Sequence, residues 1–482
     1  MMTKLRKIIL IPALSIVFIS GFFSCGVDRW PEYAHQTALD TWMYDIMQQN
    51  YLWYQDLPSY DDVNLFLDPA SFLSKVKSKS DSYSFVDSVM ETPLPTYGFD
   101  YSLVRSADID TAYNALITYV IPGSPAEAAG LVRGDWIMKV DTSYISKKYE
   151  TQLLQGTKAR DLVMGVWKEV PVEPEEGEVG EEETTVYKVV PNDKTLKLPA
   201  ARAVEDNPVH KTEILTVKEN NSDIKVGYLM YNSFTAGTKA DPEKYNNELR
   251  QISQEFKTAG VKYVILDLRY NAGGSLDCVQ LLGTILTSNA RLNEPMAYLE
   301  YNDKNRDKDA TINFDPTILG SGTNLDLPGL FVITSGTTAG APEMLIGSLF
   351  LKDSYPVVSI GSATKGQNVA TEQFVNDEFL WSVNPVVCTV YNSKHDENGS
   401  FVPNADLKIS ETTIDGITNY SEFLPFGDPN ERLLKVAIGV IEGTYPPKKE
   451  EDTTTKAQFK IEKSVISPAS RRFVGGGGLK IK

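Results

Sequence analysis

Cysteine and histidine are scarce, with three of each in 482 residues. Cys25, Cys278 and Cys388 stand far apart and match no zinc spacing. His35, His210 and His395 lie in separate regions, outside any HExxH arrangement and away from any nucleophile elbow. No metal and no cofactor is expected. An excess of positive charge is missing as well. The formal net charge is −17, and an acidic surface repels phosphate backbones, which argues against nucleic-acid partners. Internal repeats are absent. Only one long apolar run occurs, at 8–23, after Lys4, Arg6 and Lys7 and before Ser24-Cys25. That order reads as a secretory signal peptide over 1–24, and the run is short for a membrane span of ~20 residues.

The rest of the chain falls into four stretches. In 25–95, Leu39, Met43, Ile46, Met47, Tyr51 and Trp53 recur at near-helical spacing, predicting a helix over 35–57. Asp68-Pro69 opens a second short helix over 69–77. Stretch 96–205 alternates short β-like runs, such as 113–120 and 136–140, with turn signals. Its 171–185 segment carries seven Glu among Pro and Gly and reads as a solvated loop or hairpin tip. Stretch 206–446 alternates strands (225–231, 261–268, 330–334, 356–360) with helices (241–259, 276–286, 341–351). The unbroken apolar run VKYVILDL at 261–268 fits a strand buried on both faces, so a parallel-rich sheet with crossover helices is expected. The tail, 447–482, is polar and ends in glycines at 475–478. It is expected to be extended or flexible.

Four constellations carry chemistry. At Tyr97-Gly98-Phe99 a glycine turn can aim backbone N–H groups at a carboxylate, beside a sheet edge that can accept a peptide strand. It precedes GSPAEAAGLVRGDWI at 123–137. In ILDLRYNAGG at 265–274 a buried strand runs into a glycine pair and a helix, which allows close backbone approach and stabilises negative charge. No GK[ST] follows, so a phosphate loop is discounted. VITSGTTAGAPE at 332–343 and GSATKGQNV at 361–369 are again strand ends followed by turns. In this order the four resemble the PDZ domain and catalytic motifs of the tail-specific (C-terminal processing) serine proteases. The likeness runs over about 35–446, through Trp381, the PNAD turn at 403–406 and FGDP at 426–429.

The resemblance implies a multidomain α/β fold. A PDZ-like β-domain is inserted between the helical N-terminal region and a core related to Clp proteases and crotonases. It also implies an oxyanion hole from Gly273 or Gly274 and the N–H of Ala341. The family's nucleophilic Ser falls on Gly340, and its general-base Lys falls on Gln367. Both positions are therefore vacant, since glycine has no hydroxyl and an amide takes no proton at useful pH. Lys365 lies two residues before Gln367, on the same face of an extended segment, and is the substitute base if one exists. Ser335, Thr337 and Thr338 are the nearby hydroxyls before the helix. Ser24-Cys25 resembles a bacterial lipobox, with Phe22 where Leu is usual, which makes Cys25 a lipidation site in the cell envelope. The leading expectation is a lipid-anchored pseudoprotease that holds peptide or protein C-termini. The alternatives are an active serine endopeptidase with a displaced nucleophile and a hydrophobic-ligand carrier on the same fold.

Overall fold

The computed structural model describes residues 30–89, 94–171, 185–350, 354–395, 405–414, 417–446 and 477–481. The signal segment, Cys25 and nearly all of the Glu-rich stretch lie outside the described residues. Among those described, no helix is long and apolar enough to cross a membrane.

The N-terminal region is a helix, Trp30–Asn50, followed by a shorter one, Pro69–Val76. The first stops before the aromatic run expected to continue it. Tyr51 is drawn inward instead, donating its hydroxyl to Asp81 Oδ2 at 2.8 Å and accepting the Ser78 N–H at 3.1 Å. The second starts where Asp68 accepts the Ser71 N–H at 3.0 Å and a proline occupies the first turn, where no N–H is needed. Met43, Met47, Phe72 and Val76 pack on Val369, Val383 and Val386, so this region leans directly on the core.

Residues 96–205 form a six-stranded antiparallel sheet in the order Phe99–Arg105, Tyr113–Val120, Trp136–Val140, Arg160–Pro171, Thr185–Leu198, with the short strand Ser143–Tyr144 paired off this path to Trp136–Val140. Tyr101, Leu103, Ile117, Ile137 and Leu162 build its own small core. Pro171 pairs with Thr185, so the Glu-rich stretch joins the two strands of a hairpin.

The main sheet of the core runs Leu407–Lys408, Val357–Gly361, Leu330–Thr334, Val261–Asp267, Ser222–Tyr231, Val209–Glu219. All neighbours are parallel except the last pair. Val264 and Leu266 face the helices Lys244–Ala259, Leu276–Leu286 and Ala341–Leu349. Ile265, with Ile333 and Ile360, faces the helix Arg432–Glu442. Burial on both faces explains why this strand is apolar throughout.

A second six-stranded sheet runs Gly273–Ser275, Gly478–Lys480, Val369–Thr371, Val386–Tyr391, Pro295–Tyr301, Ala310–Asn313. Two of its strands depart from expectation. The glycine pair is a short strand and not only a turn, and the tail expected to be flexible over 447–482 supplies a strand at Gly478–Lys480. Neither has strand-forming composition. Both take strand form because neighbouring backbone supplies their partners, and because the side chain of Leu479 enters the core, 1 % exposed.

Candidate active site

The strand Val261–Asp267 ends in a cluster of buried charge. Arg269 is fully buried. It donates to Asp267 (Nη2 to Oδ2, 2.7 Å), to both oxygens of Glu431 (2.6 and 3.0 Å) and to Glu411 (2.7 Å). Tyr228 donates to Asp267 Oδ2 at 2.8 Å. From the PDZ-like domain Arg133 reaches in, donating to the Thr118 carbonyl and the Tyr270 hydroxyl, each at 3.0 Å, and pairing closely with Glu411. Its guanidinium lies 3.5 Å from the centroid of the Phe423 ring. Burial disfavours charge on Arg269, but Asp267, Glu431 and Glu411 outweigh it and hold its pKa well above the ordinary value. Burial likewise raises Glu411, yet Arg133 and Arg269 bring it below the usual carboxylate range. Two guanidinium and three carboxyl groups thus share one pocket, and a buried charge persists only when paired and hydrogen-bonded in this way. A cleft of about 400 Å³ lies beside the cluster, bounded by Thr118, Tyr270, Ser335, Thr337, Glu411 and Phe423.

The strand Leu330–Thr334 leads through a turn to Gly340, which precedes the helix Ala341–Leu349 with a φ of +66°. Buried Glu343 fastens this turn to the next one. It accepts the N–H of Gly340 at 2.7 Å, of Gly366 at 2.5 Å and of Gln367 at 2.9 Å, and the hydroxyl of Thr364. Both glycine turns are therefore fixed by one carboxylate. Pro342 sits in the first helical turn, where its missing N–H costs nothing.

Lys365 and Gln367 do not share a face as an extended segment requires. Gly366 between them has a φ of +80°, which breaks the alternation, leaving Lys365 exposed and Gln367 buried. Gln367 donates from Nε2 to the Val369 carbonyl at 3.2 Å. Gly340 and Gln367 converge on one neighbour, Gly478 of the tail strand. A β-carbon on Gly340 would overlap the backbone of Gly478 and Leu479, and one on Gly478 would overlap the Gln367 amide.

The three nearby hydroxyls point away, toward the Arg269 cluster. Ser335 and Thr337 both donate to the Arg269 carbonyl, Thr337 at 2.8 Å, and Thr338 donates to the Leu268 carbonyl at 2.9 Å. Of the expected oxyanion donors, Gly273 gives its N–H to Asn271 Oδ1 at 3.0 Å, and the segment Gly273–Ser275 is paired with the tail strand Gly478–Lys480. At the PDZ-like turn Gly98 donates its N–H to Thr96 Oγ1 at 3.0 Å, and Phe99 pairs with Val120, so the expected carboxylate nest is partly closed by its own chain. Tyr97 donates its hydroxyl to the Lys158 carbonyl. The strand Phe99–Arg105 still forms one edge of its sheet.

The clasping role of Glu343 has one local signal in the sequence, an acid three residues after the glycine that caps a helix start. The sequence likewise gives no local signal for Glu411 and Glu431, 142 and 162 residues from Arg269, or for Arg133 on the other domain.

Known proteins are similar to this chain in sequence and fold. Residues 225–384 match peptidase family S41, residues 38–85 the Peptidase S41 N-terminal domain, and residues 116–168 a PDZ domain. A carboxyl-terminal-processing protease from Picosynechococcus sp. is 26% identical over 266 residues, 53% of this chain and 51% of that protein. A carboxy-terminal-processing protease from Bartonella bacilliformis is 26% identical over 261 residues, 53% of this chain and 50% of that protein. The chain thus spans about half the length of these curated relatives. A crystal structure from Bacteroides fragilis, assigned to the S41 proteases, is 42% identical with a TM-score of 0.74, and covers 83% of this chain and 97% of that one. With that identity across nearly the whole of one relative, and with the helical, PDZ and core parts in the same order, the chain belongs to peptidase family S41.

Proposed function

We propose that this protein is a peptide-binding pseudoprotease of the bacterial cell envelope, anchored through Cys25, that holds peptide or protein C-termini without cutting them. The observation that carries the reading is the pair Gly340 and Gln367. Both lie against the tail strand at Gly478, at the motif positions of nucleophile and base, and neither has a side chain able to do that work. The peptide path is otherwise furnished, with Gly274 and Ala341 at its side and an open sheet edge on the PDZ-like domain.

Two observations weigh against a displaced nucleophile. Lys365 is exposed, whereas a lysine base needs burial to lower its pKa. Ser335, Thr337 and Thr338 spend their protons on backbone carbonyls. For a hydrophobic-ligand carrier, the apolar cavity beside Phe256 and Leu282, about 10 Å³, is too small, and the cleft of about 400 Å³ is lined by Glu411 and the hydroxyl residues Thr118, Ser335 and Thr337.

The test is turnover of casein and of unfolded peptides by the wild type and by a chain lacking 475–482, which separates an absent mechanism from a blocked cleft. Neither should hydrolyse them, and a fluorophosphonate probe should label neither. The double change Gly340→Ser with Gln367→Lys, made in the shortened chain, should restore measurable cleavage, while each single change stays inert. Hydrolysis by wild type that Lys365→Ala abolishes, or probe labelling mapped to Ser335, Thr337 or Thr338, would refute the reading. Labelling with a palmitate analogue should mark the wild type and spare Cys25→Ala.

A further inference from the structure

The tail strand Gly478–Lys480 stands between Gly273–Ser275 and Val369–Thr371 and runs parallel to both. It is held as a sheet strand is held. The Gly478 N–H is donated to the Ala272 carbonyl at 2.5 Å and the Ile481 N–H to the Thr371 carbonyl at 2.9 Å. The Thr371 hydroxyl adds a bond to the Leu479 carbonyl at 3.3 Å.

Its side chains alternate as strand geometry demands. Leu479 is buried in the core, whereas Lys480 lies on the opposite face, partly buried, with its ammonium 5.4 Å from the centroid of Phe85 on the N-terminal region. Its glycines are matched to the walls. A β-carbon on Gly477 would overlap the Ala272 carbonyl, and one on Gly478 the Gln367 amide. The wall is matched to the tail in return, because a β-carbon on Gly340 would strike Gly478 and Leu479. A side chain at 340 and a tail in this position exclude each other.

We infer that the slot between Gly273–Ser275 and Val369–Thr371 is a strand-acceptor site whose resident occupant is the chain's own segment 477–481. The recognition rule follows from the contacts: glycine at the two positions passing Ala272, Gly340 and Gln367, then a leucine-sized apolar residue, then a long side chain that lies along the Phe85 ring. Any other polypeptide reaches the slot only by displacing the tail. The inference rests on the pseudoprotease reading in one respect, that an occupant left in place is not cut.

About thirty residues separate Pro446 from Gly477. A tether of that length gives an effective concentration on the order of 1 mM, so a free peptide binding the emptied slot at ~10 μM would be weakened ~100-fold by the tail. The probe is a fluorescein-labelled peptide with the sequence of 475–482, read by anisotropy against the full mature chain and against one lacking 475–482. The shortened chain should bind it, the full chain at least tenfold more weakly, and a peptide with Asp at the Leu479 position should bind neither. Equal binding by both chains, or none by a shortened chain with native circular dichroism, would overturn the inference. If the shortened chain does not fold, Gly478→Val in the full chain serves instead, with hydrogen exchange at Ile481 rising and labelled peptide now admitted. Unchanged protection at Ile481 would overturn it. A dimer in size-exclusion chromatography that disappears with the deletion would reassign the occupant to a second copy and overturn the intramolecular form. Mass spectrometry of the recovered peptide keeps the two readings apart, since a cut peptide refutes the pseudoprotease and leaves the slot assignment standing.

Discussion

Two polar clusters flank the chain where the strand Val261–Asp267 ends, and they have different fates. Around Arg269 every group expected of a buried ionic network is present and paired. Around Gly340 the backbone is held as firmly, by Glu343, yet the positions we propose for nucleophile and base carry a hydrogen atom and an amide. The difference separates two kinds of demand. The Arg269 cluster joins strand, PDZ-like domain and final helix, and losing one member strands the others in a dry interior. The Gly340 turn needs only its shape for a strand to pass, and shape is kept by hydrogen bonds that catalysis does not use.

The comparison breaks most severely at Arg269. Arg269→Met leaves Asp267 and Glu431 buried without their cation, a loss of about 3–5 kcal/mol. We expect loss of soluble protein or a Tm lower by roughly 10 °C in a thermal melt. A Tm within 2 °C of wild type would show that the cluster is not the joint described here. A smaller effect is expected on the other side. Gly340→Ser places a β-carbon at φ +66° against the tail. Strain of about 1 kcal/mol and the overlap together should release the tail, seen as faster exchange at Ile481 with a Tm only a few degrees lower and no gain of proteolysis. Persistent protection there would mean that the turn is more yielding than the Glu343 clasp implies.

The smallest effect sharpens the contrast between paired and unpaired carboxylates. Burial pushes Asp40 up to about 6, against a lowering hydrogen bond from the Leu67 backbone and with a further push from Asp68. Its Oδ2 has no partner. Because the folded pKa lies above the unfolded one, the stability it contributes is full below about pH 4 and is lost as pH rises through 6. Asp40→Asn should therefore raise the Tm by about 2–5 °C at pH 7.5 and leave it unchanged near pH 4. Equal effects at both pH values would remove ionisation as the cause.

The elements legible in the sequence are those whose own residues decide them. The apolar run at 261–268 and the stripe at Leu249, Ile252 and Phe256 announce a strand and a helix, and the structure has both. The first helix stops early because Tyr51 finds a buried acid, and no periodicity encodes that partner. The expected shared face of Lys365 and Gln367 failed on one left-handed glycine. The strands at 273–275 and 478–480 were not legible, since glycine favours no strand and their form is imposed by neighbours far away in sequence. At the candidate site, the proposed vacancies at Gly340 and Gln367 rest on the motifs alone, whereas the strand lying against them has no signal in the sequence.

The late position of that strand in the sequence has a consequence for how the molecule is made. A chain grows from its N-terminus, so the whole core can assemble while segment 477–481 is still to come. A chain exported through a membrane emerges in the same order, so residues up to 446 are outside before 477–481 follow. For that interval the sheet stands one strand short, with Gly273–Ser275 and Val369–Thr371 turning unpaired backbone toward the gap. Completion of the fold is thus a timed event, and the newborn molecule is the form most open to a foreign strand.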